Sequence, residues 1–285
     1  MKTFTPQDVA NYYDQTENHY RRWWKLEKSL GLHYGIWSEE IKNLHQAVLN
    51  TNVLLAKLGG ITSTDIVLDA GCGVGGSSIF LAKNIGCKVT GITLSEKQAA
   101  TATAFAKQRG VSHLVSFHAM NYTATSFDDN SFDVVWAIES MQTATDKSDF
   151  LKEAKRILKP DGKIVIADCF KSYDYPFEKN RLMNLMFNGW AVSDVLSSEE
   201  FVNRAKQFGF ALEKEDDVTK EVYPSVVRFF FAAFWGMFGT FLYNVFVKKA
   251  SYFSRVHYKT GLSQFAAYKK KLWMYKLLVL KSVEK

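Results

Sequence analysis

A chain of 285 residues that is 47% hydrophobic carries enough apolar sequence for one large domain, or one domain with an appendage. Its three cysteines, Cys72, Cys87 and Cys169, lie in or beside apolar strand-like runs. An odd count without metal-ligand spacing excludes a disulfide framework and points to reduced, buried thiols in a cytoplasmic protein with no metal site. The net charge of +7 gathers at Arg21-Arg22, Lys248-Lys249 and Lys269-Lys270-Lys271, a pattern of solvated helix faces or of attraction to anionic lipid or nucleic acid.

The first residues, Met1-Lys2-Thr3-Phe4-Thr5-Pro6, contain no apolar signal core, so no export signal is expected. Residues 1–60 read as a helical cap. Asp8-Val9-Ala10-Asn11-Tyr12-Tyr13-Asp14 opens one helix, and residues 41–58 carry Ile41, Leu44, Val48, Leu49 and Leu55 on a helical period until Gly59-Gly60 ends it. Between them, Leu30-Gly31-Leu32-His33-Tyr34-Gly35-Ile36-Trp37 is an aromatic loop bracketed by glycines.

A new unit begins with Ile66-Val67-Leu68, which ends in Asp69 and the glycine-rich turn Gly71-Cys72-Gly73-Val74-Gly75-Gly76 before the helical pattern Ile79-Phe80-Leu81-Ala82. Strand, tight loop and helix in that order place backbone N–H groups at a helix N-terminus, where a ligand rich in acceptors is held. Two ligands fit these letters. Gly71-x-Gly73-x-x-Gly76 matches a dinucleotide fingerprint, and Asp69-x-Gly71-x-Gly73-x-Gly75 matches motif I of S-adenosylmethionine-dependent methyltransferases. The second is favoured. Asp69 closes the strand where a carboxylate meets an ammonium group better than a pyrophosphate. The next strand runs into Thr93-Leu94-Ser95, where a dehydrogenase would present an acid to the ribose.

Strands at 66–69, 87–92, 115–119, 132–138 and 163–168 alternate with helices, notably 95–109 and 147–158, which predicts a parallel sheet with its ligand at the carboxyl ends of the strands. Lys159-Pro160-Asp161-Gly162 reads as a turn. Further on come a helix from Ser198 to Gly209, a sixth strand at 210–215 and a seventh at 273–281. Between those strands, residues 229–247 are uncharged and rich in phenylalanine, flanked by Arg228 and Lys248-Lys249. The length suits a membrane span. A single crossing, however, would put two strands of one sheet on opposite sides of a bilayer, so a lid helix that also rests on a membrane surface is expected. The domain organisation is a cap at 1–60 and a ligand-binding domain at 61–285, with the lid inserted at about 222–268.

The block from Asp69 to Asp168 resembles the class I methyltransferases, and within them the tocopherol, sterol and natural-product branch. The resemblance rests on Gly73-Val74-Gly75-Gly76-Ser77-Ser78, Gly91-Ile92-Thr93-Leu94-Ser95-Glu96-Lys97-Gln98, Phe132-Asp133-Val134-Val135-Trp136-Ala137-Ile138-Glu139-Ser140 and Arg156-Ile157-Leu158-Lys159-Pro160-Asp161-Gly162. Tyr12-Tyr13-Asp14 and Leu32-His33-Tyr34-Gly35 are similar to the helical cap of the same enzymes. The resemblance implies an α/β, Rossmann-like, seven-stranded and mostly parallel sheet with helices on both faces, an N-terminal helical cap and a C-terminal helical lid insert. It implies S-adenosyl-L-methionine as cofactor. Asp69, Gly71 and Gly73 would hold its methionine end, Tyr13 its carboxylate, and Thr93, Leu94 and Gln98 its ribose. Asn121 would accept from the adenine amino group beside Tyr122, and Glu139 would help position the whole. The structural alternatives are a helix cap for Asp69, turn residues for Asn121 and Tyr122, and a solvated first turn for Gln98.

A sulfonium methyl is already electrophilic, so the protein mainly aligns the acceptor and excludes water. A phenol, or a carbon that must lose a proton, also needs a base. Relatives in this branch often have histidine just after the Glu-Ser of the fourth strand; here Gln142 and Thr143 stand in its place and neither is a base. Of His33, His118 and Glu139, His33 is taken as the catalytic base, with packing or substrate binding as its alternative. Tyr34, Trp37, Phe229, Phe230, Phe231, Phe234, Trp235 and Phe238 would wall an apolar pocket for a sterol, prenylated quinol or phenol, or terpenoid. An N-methyltransferase of a small amine or alkaloid-like acceptor is the alternative, followed by a nucleic-acid methyltransferase and a non-catalytic binding module. The Asn/Asp-Pro-Pro-Tyr/Phe segment of base-amino methylation is absent, so no nucleic acid is expected.

Overall fold

Seven strands pair into a single sheet in a computed structural model that describes residues 2–24, 26–172, 179–246 and 252–283. For residues 17–24, 238–246 and 254 the side chains are not described; Arg21, Arg22 and Phe238 are among these, and Val247, Lys248 and Lys249 lie outside the described residues altogether. The elements in chain order are α1 (Pro6–Trp24), α2 (Leu26–Ser29), α3 (Leu44–Gly59), β1 (Ile66–Ala70), α4 (Gly76–Asn84), β2 (Lys88–Thr93), α5 (Glu96–Gln108), β3 (Val115–Ala119) and β4 (Phe132–Ile138). A 3-10 turn at Met141–Thr143 leads to α6 (Lys147–Ile157), β5 (Leu158–Lys171), α7 (Arg181–Asn188), α8 (Ser198–Gln207), β6 (Phe210–Asp217), α9 (Tyr223–Phe246), α10 (Tyr252–Lys269) and β7 (Trp273–Ser282). The strand order is β3-β2-β1-β4-β5-β7-β6, with β7 antiparallel to both of its neighbours and every other pairing parallel.

The central strands are buried on both faces, as parallel strands between helical layers must be. Along β4, Val134 and Trp136 join one core while Val135 and Ala137 join the other, the period-two alternation of a pleated strand. The first core also takes in Leu55 of α3 and Met183, Met186 and Phe187 of α7; the second takes in Phe150 and Leu151 of α6 and Phe201 of α8. Helix starts follow their capping residues: Asn43 caps α3, Ser95 caps α5, Asp146 caps α6, and Ser197 with Glu200 forms a capping box on α8.

The expected turn at Lys159-Pro160-Asp161-Gly162 lies inside β5 as an irregularity. The register with β4 jumps from Phe132↔Leu158 to Val134↔Lys163, and Asp161 takes φ 62°. Helix α7 was not expected from the sequence. α3 packs on the sheet, since a Cβ on Gly59 would sit 2.9 Å from Val165 Cγ2. α9 and α10 fall between β6 and β7 and pack on each other, and no helix among the described residues is long and apolar enough to cross a membrane.

β2 and β4 flank β1, and from there the chain runs outward to opposite edges. This topological switch opens a crevice at the carboxyl ends of the strands. The far wall of that crevice hangs on one buried cation. Lys147 Nζ donates to the carbonyl oxygens of Gln142 (3.1 Å), Ala144 (2.9 Å) and Asp194 (2.7 Å), tying the 3-10 turn to the segment before α8. Lys147→Met should leave three carbonyls unsatisfied and destabilise the fold by roughly 2 kcal/mol or more, measurable as a lower urea midpoint.

Candidate active site

The crevice is a cavity that opens to solvent at its mouth, and its lining combines polar strand-tip residues with aromatic side chains. Its floor is the row of strand tips: Asp69 to Gly76 after β1, Thr93 and Leu94 after β2, Tyr122 after β3, Glu139 to Thr143 after β4, and Asp168 and Cys169 in β5. The roof comes from Tyr12 and Tyr13 of α1, the loop Leu30 to Tyr34, Phe187 of α7, Trp190 and Val192 beyond it, and Phe229 of α9.

At the first tip, Asp69 is buried and Ser78 Oγ donates to its Oδ2 at 2.6 Å. Burial pushes its carboxyl up to about 6, and the hydrogen bonds from Ser78 oppose that rise. The helix-cap alternative is therefore met along with a place on the cavity wall. The glycines divide by role. A Cβ on Gly71 would lie 2.3 Å from Ser140 Cβ, and one on Gly76 would lie 2.2 Å from the Leu30 carbonyl oxygen, so both are demanded by the protein's own packing. Gly73 is different. A Cβ there meets only Leu32 Cδ1, at 3.8 Å, so its bare backbone is open to a ligand.

At the second tip, buried Thr93 donates from Oγ1 to Gln98 Oε1 at 2.6 Å, leaving the Gln98 amide nitrogen as the donor available to a ligand. Ser95 Oγ donates to Asp14 Oδ1 at 2.7 Å and so fastens α1 beside this tip. Tyr122 lines the cavity with its ring, while its hydroxyl is hydrogen-bonded to Ser140 O (2.7 Å) and Thr143 Oγ1 (2.8 Å). Asn121 is not brought to the cavity. Its Oδ1 accepts from both Thr123 N and Thr123 Oγ1 at 3.0 Å, an Asx turn that uses both lone pairs expected for adenine.

Glu139 holds the centre. It takes φ 47°, a conformation uncommon for a side chain of this size, and its Oε1 accepts from Tyr34 N at 2.7 Å and Tyr275 Oη at 2.8 Å. Burial pushes its carboxyl up to about 8, those two donors opposing the rise. Asp168, also buried on the cavity wall, is pushed up to about 7 by the same cause. Gln142 donates from Nε2 to Cys169 O at 2.6 Å, and its buried Oε1 has no partner.

His33 lines the cavity, and its Nδ1 donates to Tyr34 O at 2.8 Å. Burial lowers its basicity to about 4, so the ring is neutral near pH 7, which counts against the expected histidine base. His118 is exposed on the edge strand β3. Tyr34 stacks on Trp273 and donates its hydroxyl to Gln264 Oε1, so it reaches the cavity as a core residue.

The expected aromatic wall is corrected more strongly. Trp37 Nε1 donates to Ser225 Oγ at 2.8 Å, pinning the cap loop to the first turn of α9 away from the cavity. Phe230, Phe231, Phe234 and Trp235 do not line the cavity, and Trp235 is 62% exposed. Phe229 faces inward and meets Trp190 edge-on at 6.2 Å, with Phe187 behind it at 5.8 Å from Trp190. A signal for this orientation was present. Val222, Ser225, Val226 and Ala233 form a stripe of small and aliphatic residues at helical spacing, and Ala233 and Phe229 abut Gly261 of α10. The sequence reading also missed Asp168, although an acid closing a parallel strand is the same cue that singled out Asp69.

A family model described as a methyltransferase domain matches residues 68–166. The chain is 30% identical over 224 residues to the 27-O-demethylrifamycin SV methyltransferase of Amycolatopsis mediterranei, covering 78% of this chain and 80% of that protein. It is 36% identical over 210 residues to the 2-methyl-6-phytyl-1,4-hydroquinone methyltransferase of Synechocystis sp., covering 70% of this chain and 64% of that one. Among solved structures, a geranyl diphosphate methyltransferase in complex with GPP and sinefungin has the same fold, with TM-score 0.78 at 20% identity, covering 98% of this chain and 99% of that one.

The two glycine classes are separable by experiment. Gly76→Ala should destabilise the fold by about 2–3 kcal/mol through its clash with the Leu30 carbonyl. Gly73→Ala should cost only about 1–2 kcal/mol, the strain of a left-handed alanine, and urea unfolding of the two variants measures the difference.

Proposed function

Because this chain belongs to the class I S-adenosylmethionine-dependent methyltransferases, in their tocopherol, sterol and natural-product branch, and takes S-adenosylmethionine as its cofactor, we propose that it methylates a hydrophobic small molecule carrying a hydroxyl or amine group. The observation that carries this reading is one cavity with two unlike halves: a polar half around Asp69, Gly73 and Gln98, and an apolar half of Phe187, Trp190, Val192 and Phe229. A sterol, prenylated quinol or terpenoid suits the apolar half, and such an acceptor would be met at a bilayer surface. Three buried thiols without a disulfide support a cytoplasmic setting.

The residues present fit the cofactor. Asp69 faces the cavity as the carboxylate for an ammonium group, Gly73 offers open backbone, Gly71 lets the bend pack against Ser140, and Tyr13 stands above it. Gln98 and Leu94 flank the place of a ribose, Thr93 orients Gln98, and Tyr122 contributes its ring as a wall. Asn121 has no part in this reading. When bound, the cofactor supplies an electrophilic methyl group. The protein's own work is to hold the acceptor in line with it and to keep water out beneath α1, α7 and α9.

Glu139 is the base in this reading, with His33 as a neutral wall residue. A positive charge in the cavity lowers a carboxyl that burial has raised, so Glu139 ionises when it is needed. Asp168 offers a second site for the proton, and the orphaned Gln142 Oε1 accepts from the hydroxyl or N–H of the acceptor. The same two carboxylates would also attract a cationic amine, which is the observation favouring N-methylation as the second reading.

Incubating lipid extracts with deuteromethyl cofactor should yield labelled products in the organic phase by mass spectrometry; label confined to small polar amines would overturn the first reading in favour of the second. In calorimetry with S-adenosylhomocysteine, Asp69→Ala should lose affinity by at least about tenfold, the worth of a charged hydrogen bond. Unfolded glutamate titrates near 4.5 and Glu139 near 8, so between those values the folded chain binds more protons and its stability falls as pH rises. The cationic cofactor should reverse this locally. Its binding should release protons at neutral pH and tighten towards pH 8, more than that of uncharged-sulfur S-adenosylhomocysteine, as read in buffers of different ionisation enthalpy. Glu139→Gln keeps the acceptor for Tyr34 and Tyr275. It should abolish the difference and slow turnover by roughly a hundredfold or more.

A further inference from the structure

The face of α9 turned away from the cavity carries exposed aromatic side chains. Phe231 is 55% exposed, Phe234 38% and Trp235 62%, and with Tyr252 at 39% on α10 they are the exposed large aromatic residues among those described. The three on α9 form one patch with Phe230: Phe230 meets Phe231 at 5.5 Å, Phe234 at 6.4 Å and Phe265 of α10 at 4.6 Å, and Phe234 meets Trp235 at 5.6 Å.

The charge of the same segment is one-sided. From Val222 to Lys271 the sequence has eight lysines and arginines and no aspartate or glutamate, which leaves 28 of the 36 basic residues against all 29 acidic ones in the rest of the chain. The net charge of +7 therefore resides in this hairpin. Exposed Arg228 lies one turn before Phe231, and Lys269 Nζ sits 5.8 Å from the Phe265 ring that backs Phe230. Lys248 and Lys249, outside the described residues, belong to the same stretch.

We propose that the outer face of α9 docks the protein on an anionic lipid bilayer, with Phe231, Phe234 and Trp235 in the headgroup region and the basic residues of the hairpin against lipid phosphates. Exposed aromatic anchors with Arg228 and Lys269 close by, on a segment without acidic residues, are the features of an interfacial helix. A second copy of the chain is a poorer occupant, because a two-fold contact would face this acid-free segment with itself. The docking deepens the proposed function by naming the surface from which a lipophilic acceptor is drawn. It does not require that function to be right, since Phe229 reaches the cavity from the inner side of the same helix whatever the acceptor.

Flotation of the full chain with vesicles of phosphatidylcholine and about 30% phosphatidylglycerol tests this directly. Binding should exceed that to phosphatidylcholine alone and fall as salt is raised. Phe231→Ser with Trp235→Ser should weaken it at least about tenfold while leaving affinity for S-adenosylhomocysteine and the urea midpoint unchanged. Lys269→Glu with Lys270→Glu should weaken it as well. Vesicle binding equal in wild type and the aromatic double variant would overturn the proposal, as would a dimer that this variant splits with no vesicle binding by either form, or retention on RNA in place of vesicles. Turnover on lipid extracts is a separate readout, so a failed acceptor assignment and a failed docking are told apart.

Discussion

A carboxyl group on the cavity wall joins the roof of this enzyme to its floor. Glu139 leaves the end of β4 in a left-handed turn and accepts at one oxygen from the cap loop, through Tyr34 N, and from β7, through Tyr275 Oη. Without that acceptor a backbone N–H and a phenol would lie buried beside the cavity with nothing to satisfy them. The same bonds that close the cap thus hold a titratable group on the cavity wall, and burial favours its protonated form.

The second dependency is between α9 and the loop before it. Ser225 bonds Gly35 through both N–H and carbonyl and takes the Trp37 indole as well, so the cap loop is tied to the first turn of α9. Phe229, a turn further along, enters the cavity from that fixed start. The roof of the cavity thus comes from α7 and α9, and its floor from the strand tips.

Much of this was readable before any coordinates. The strands of the parallel sheet are short apolar runs ending in glycine or capping residues, and their observed limits lie close to the expected ones; Asp69 and Thr93 sit at tips because acids and hydroxyls close those runs. The family and its cofactor followed from the same turn. The acceptor side was misread for a physical reason. α9 is apolar around most of its circumference, so bulk hydrophobicity does not say which aromatic residues face inward, and only the small-residue stripe against Gly261 does. Asn121 was drawn into the site by alignment of motifs, whereas its own backbone neighbours use its oxygen. Asp168, Gln142 and Trp190 come from separate segments that only the folded chain brings together.

The antiparallel seat of β7 has an evolutionary corollary. β6 and β7 are paired from Phe210↔Ser282 to Asp217↔Lys276, and two such strands need no more than a tight loop to join them. The helical hairpin that fills the connection instead is topologically dispensable to the sheet. It can be lengthened, shortened or replaced in a lineage without disturbing a single parallel pairing or the strand tips that floor the cavity.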